Sequence, residues 1–195
     1  MARYQLQPFD VTSQSKQDLQ QLQASFGRGA TEEQRQSAID LLVRAHGMNL
    51  ATTKSLRYDK SFTRRDGSNA KGAIRIGPSA FAQDAPQLAA VTFHEIVHSD
   101  QFKFYGDHGV DFSTLSKGDE PVRVLIALDE YEGFYWPWRN RGVLGLSGAQ
   151  QAEFERELRL WQVEIDDAPT VAKARAARFN EARLALIERL NAGRR

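Results

Sequence analysis

The chain contains no cysteine. Disulfides, thiolate metal sites and cysteine nucleophiles are therefore excluded together. Charge of either sign is not in excess, since the net value is +1, so no global field draws the protein to nucleic acid or to an anionic membrane. No apolar run approaches the ~18–20 residues that a membrane-spanning helix needs. The segment from Met1 to Gln17 lacks the apolar stretch of a secretory signal. The expectation is a soluble protein, either cytoplasmic or exported by a leaderless route. Histidine is scarce, with four in the whole chain.

What is present is ordinary for a globular protein. A chain of 195 residues with 41% hydrophobic and 26% charged side chains suits one well-buried core. There is no internal repeat, long linker or low-complexity tract, so residues 1–195 read as a single domain.

Residues 1–50 read as N-terminal helices. Ser13 to Phe26 carries Leu19, Leu22 and Phe26 on one stripe and meets a stop at Gly27. Thr31 and Gln34 form a capping-box pattern for a second helix that Gly47 ends. Residues 51–137 are expected to hold two strands, Ser55–Asp59 and Ala73–Gly77, followed by two helices. Asp66-Gly67 reads as the turn of a hairpin or ribbon, within a polar and mobile stretch from Thr63 to Lys71. Asp84 is the expected N-cap of a central helix running to Gly106, with Pro86 in its first turn. Pro121 opens another helix and Pro137 is expected to terminate it. Ser147 and Gln150 cap a further helix, and residues 147–193 read as a C-terminal helical hairpin. The fold class expected is α+β, helix-rich, with a small sheet beside the central helix. The basic side chains that dominate 171–195 read as a solvated face rather than a nucleic-acid site.

Two of the four histidines, His94 and His98, stand four apart in the central helix with Glu95 between them. Positions i and i+4 share a helix face one turn apart, so two imidazoles can grip one cation. Both would bind through neutral nitrogens, a third protein ligand would complete the set, and the fourth position would stay open for water. Glu95, not a ligand, is placed to accept the water proton as general base. The flanks Val91, Thr92, Phe93, Ile96 and Val97 are uncharged, as a buried metal helix requires.

The HExxH helix, the strand before it and a later glutamate helix resemble the zincin metallopeptidases, and within them the gluzincin branch. The similarity spans Ala73 to Trp136. Tyr131-Glu132-Gly133-Phe134 is similar to segments that supply the third ligand in several gluzincins. His98-Ser99-Asp100-Gln101 resembles small bacterial metallopeptidase domains of the effector and polymorphic-toxin type. The resemblance implies a zincin-like fold, Zn2+ held by His94, His98 and Glu132, and hydrolysis of a protein or peptide substrate by a secreted effector or toxin protease. Two positions depart from it. Asp100 stands where an apolar residue is usual, and Trp136 where thermolysin-type gluzincins carry an aspartate.

Glu132 and Glu130 compete for the third-ligand role, because two positions apart on a helix they point about 200° from each other. Glu132 is preferred for the small residue that follows it, with Glu130 the alternative. Asp129, on the same face as Glu132, is a candidate to orient a ligand histidine. Tyr105, Tyr131 and Tyr135 are oxyanion donors by type only. His108 reads as a surface-loop residue and His46 as a helix C-terminal one. The strand at Ala73–Gly77 is expected to be the edge that pairs with extended substrate. A different class of function fits the same motif: a binding module whose zinc site is structural and whose helical half docks a partner.

Overall fold

The computed structural model describes residues 4–63, 65–166 and 179–192. It is helix-rich, with a small three-stranded sheet, and so belongs to the α+β class. The first two helices, α1 (Lys16–Ser25) and α2 (Glu32–His46), form as their caps dictate. Ser15 accepts the backbone N–H of Asp18, while Thr31 and Gln34 exchange both bonds of a capping box. Each such cap stabilises its helix by about 1 kcal/mol. Gly47 then takes a left-handed conformation at φ 63°, which ends α2.

Three strands follow: β1 (Ser55–Tyr58), β2 (Gly67–Ala70) and β3 (Ala73–Ile76). β3 is central. It pairs in parallel with β1, Leu56 opposite Ile74 and Tyr58 opposite Ile76, and antiparallel with β2. Ile74 and Ile76 are fully buried, whereas Arg75 between them points outward over the Phe62 ring. This corrects the expectation for 63–71. Asp66-Gly67 leads into a strand rather than a turn, and the reversal falls at Lys71-Gly72, both at positive φ. The edge strand beside the central helix is accordingly β2, not Ala73–Gly77.

The central helix, α3 (Ala85–Asp107), starts where Asp84 caps the N–H of Gln87. Its buried residues include Leu88, Phe93, Ile96 and Val97, which join α2 and the sheet in one core. Helix α4 (Glu120–Arg139) crosses α3 and, contrary to expectation, runs through Pro137 for two further residues. The proline removes one N–H, which leaves the Gly133 carbonyl without its usual helical donor. A short helix α5 (Arg141–Leu144) leads into α6 (Gly148–Asp166), capped by Ser147, and α7 (Phe179–Ala192) closes the described chain. Helices α6 and α7 both pack on α4. A second core gathers there around Tyr105, Leu125, Leu128 and Leu186. Val171 and most of the basic residues of 171–195 lie outside the described residues. Among those described, no helix is long and apolar enough to cross a membrane.

Candidate metal centre

His94 and His98 lie one turn apart on the face of α3 that meets α4 and β2. Their Nε2 atoms approach to 2.9 Å. Oε2 of Glu130 sits 3.6 Å from the first and 3.8 Å from the second. Four ligands around a zinc ion stand roughly 3.3 Å apart from one another, so these three atoms span the right triangle. Two imidazole nitrogens and a carboxylate form a donor set that could hold a metal ion. Such donors bind divalent transition metals, and all three residues line the cleft described below.

Glu130, not Glu132, is therefore the acidic residue brought to the rings, and the reason lies in helix geometry. Gly133 does let α3 and α4 approach. A Cβ placed on it would stand 2.8 Å from Cε1 of His94. But a residue and its immediate neighbour are 100° apart on a helix, whereas positions i and i+3 share a face. Gly133 consequently marks the face of Glu130, together with Phe134, whose ring lies 4.5 Å from that of His94. Glu132 turns the other way. It is buried, and it accepts bonds from Arg183 at 2.5 Å, Gln101 at 3.1 Å and the Trp136 indole at 3.1 Å. Trp136, at the position that departs from the thermolysin-type pattern, thus serves the fold by bonding Glu132.

Asp129 shares that hidden face, as expected, but does not touch a histidine ring through its carboxylate. Its oxygens accept from Tyr105 at 2.8 and 2.9 Å and from Arg183 at 2.8 Å. The group that bonds His98 is Gln101, whose Oε1 lies 2.6 Å from Nδ1. Tyr105 is buried and committed to Asp129, while Tyr131 and Tyr135 stack on each other beside Phe179. Tyr105 thus spends its hydroxyl on Asp129, and neither Tyr131 nor Tyr135 lines the cleft. His108 is exposed at the end of α3, bonded to the Phe104 carbonyl. His46 is buried and bonded to the Gln7 carbonyl, far from the cluster in role and in partners. Asp100, the other departure from the family pattern, pairs with Thr52.

Glu95 is buried at the foot of the same cleft, between the rings and β2. Gly67 is the residue that admits it, because a Cβ there would fall 2.8 Å from Cγ and Oε1 of Glu95. Asn69, two residues on and on the same side of the strand, donates to the Glu95 carbonyl at 2.7 Å and to the Ser99 hydroxyl at 2.7 Å. Burial pushes the Glu95 carboxyl up to about 7; His98 and Arg65 oppose that shift, and Glu130 adds to it. Burial and the charge of His98 hold His94 well below the ordinary imidazole value, against the opposing effect of the Gly133 backbone. For His98 burial acts downward too, but Glu95, Glu130, Gln101 and Asp129 outweigh it and raise the value. Nδ1 of His94 is buried, and the Gly133 backbone, whose carbonyl Pro137 leaves without a helical donor, acts on that ring.

The cluster opens into a cleft of about 760 Å³. One wall is β2 with Arg65 before it, and the opposite wall comes from α4 and α6, with Phe134, Phe154, Glu157 and Trp161. Of the residues that build this site, sequence reasoning missed Gln101, Asn69, Gly67 and Arg183. Gln101 had a signal, since it stands three after His98 on the same helix face. Comparison of the chain with family models, curated proteins and solved structures finds no match.

Proposed function

We propose that the protein is a zinc-dependent peptidase, in keeping with the zincin resemblance of its motif. The observation that carries the reading is the division of labour at one spot. Three donor atoms converge at one point, and beside them Glu95, on the same helix, ligates nothing and faces the same open cleft. A purely structural site has no use for such a carboxylate. When bound, zinc would supply Lewis acidity and bring the pKa of a water down to about 7.

His94, His98 and Glu130 would hold the ion. Glu95 then takes the proton of the attacking water and returns it to the amine that leaves as the peptide bond breaks. Its burial against Gly67 keeps it near a pKa suited to both transfers. No other strand pairs with the outer edge of β2 among the described residues, and it runs along the cleft. An extended substrate would add there as a further strand, its side chains meeting Phe134 and Trp161 opposite.

Incubation of the zinc-loaded protein with a diverse peptide pool, read by mass spectrometry, tests this. New termini are expected with the wild type, and a loss of about 10²–10⁴-fold in rate with Glu95→Gln at unchanged zinc content. A pool left intact by the loaded wild type, or cut equally by Glu95→Gln, would overturn the reading.

A further inference from the structure

His98 is held from behind by a chain of buried polar groups that ends on α7. The amide of Gln101 is oriented by its other bonds. Its Nε2 donates to the Asp129 backbone carbonyl at 3.0 Å and to Oε2 of Glu132 at 3.1 Å. Both of these are acceptors, so the nitrogen must face them and the oxygen must face His98. An amide oxygen only accepts. Nδ1 of His98 therefore carries a proton in either charge state of the ring, and Nε2 is left aimed at His94 and Glu130.

Glu132 is fixed in its turn. Arg183 reaches its Oε2 at 2.5 Å and Asp129 at 2.8 Å, so one guanidinium clamps both carboxylates of the hidden face of α4. Arg183 is only 1% exposed, yet it stands on α7, at the far end of the chain from the motif. One positive charge faces two negative ones here. The surplus negative charge lies a single amide away from His98, on the side opposite the ligand cluster.

We propose that Gln101 is a positioning residue for the metal cluster, and that Arg183 sets its orientation through Glu132, so that metal affinity is coupled to the docking of α7. The proposal rests on the metal reading of the cluster and not on any catalysed reaction. Outer partners of ligand histidines typically change metal affinity by about 10–100-fold when removed. What is particular to this chain is the relay: a neutral amide passes the constraint from a buried ion pair to the ring. Zinc binding should then sense a residue that touches neither the ion nor its ligands.

The test combines zinc affinity, by competition with a chromophoric chelator, with NMR of the ¹⁵N-labelled histidine rings. In the wild type the His98 Nδ1–H proton should be visible and protected from exchange. Gln101→Leu should lose that signal and bind zinc about 10–100-fold more weakly while staying folded. Arg183→Lys keeps the charge but cannot clamp both carboxylates, and should weaken zinc through the same path. The double variant should therefore be no weaker than Gln101→Leu alone within about threefold. If Arg183→Lys does not fold, Glu132→Gln, of equal size, replaces it with the same expectation. An unchanged Nδ1–H signal and affinity in Gln101→Leu, or losses that multiply in the double variant, would overturn the proposal and leave the metal reading standing. A wild type that takes up no zinc would sink both.

Discussion

The two faces of α4 carry acidic side chains put to opposite uses. On one face Glu130 lies at the open cleft, one oxygen 3.6 and 3.8 Å from the Nε2 atoms of the two imidazoles. On the other, Asp129 and Glu132 are sealed in and share one cation, Arg183. A carboxylate already clamped by a guanidinium has little left to offer a cation, whereas one set against two rings and open space does. The contrast teaches that a ligand is chosen by what already neutralises it and by the face it shares, and that residues three or four apart on a helix decide the face. Buried ion pairs such as the Arg183 clamp add little to stability beyond an apolar replacement, but breaking one leaves charge stranded.

The largest expected effect breaks the sealed face. Arg183→Met leaves two carboxylates buried without their cation and should cost about 3–5 kcal/mol in urea unfolding. Glu130→Gln, on the open face, should change the same measurement by about 0.5 kcal/mol or less; equal losses would erase the distinction between the faces. Next comes the ligand test. Glu130→Ala should weaken zinc by more than about 100-fold, above what loss of an outer partner costs. Glu132→Ala, judged at a temperature where it is folded, should weaken it less, and the reverse order would return the ligand role to Glu132.

Smaller effects sharpen the picture. Gly133→Ala would place a methyl 2.8 Å from Cε1 of His94. The strain of about 1–3 kcal/mol should exceed the gain of about 1 kcal/mol in helix propensity, and zinc affinity should fall as the ring moves. A stabilised variant with normal zinc affinity would deny the close approach. Smallest is Trp136→Phe, which removes one donor to Glu132. It should cost about 0.5–1.5 kcal/mol in thermal unfolding and leave zinc affinity unchanged.

Much of this architecture could be read from the residues before any coordinates. The capping box at Thr31, the N-cap at Asp84 and the i, i+4 histidine pair are local devices, and each appears where its spacing puts it. β2 was not legible. Gly67, Ser68 and Asn69 have poor strand propensity, and they are extended because Asn69 bonds α3 and Gly67 lets Glu95 come close. Helix α4 was read as stopping at Pro137 because the rule concerns the lost bond, and here the Gly133 carbonyl that loses it acts on the His94 ring. That Glu130 rather than Glu132 is brought to the rings has a reason available in the sequence. The glycine beside Glu132 belongs, by periodicity, to the face of Glu130. Arg183 gave no sequence signal for its role, since its carboxylate partners are more than fifty residues away and only packing brings α7 to them.

X-ray absorption of the zinc-loaded protein tests the central claim most directly. The account predicts one ion per chain bound by two imidazole nitrogens and by oxygen at about 2.0–2.2 Å, with the same spectrum in Glu95→Gln and an altered one in Glu130→Ala. A protein that cannot be loaded, or a spectrum indifferent to Glu130 and changed by Glu95→Gln, would contradict it.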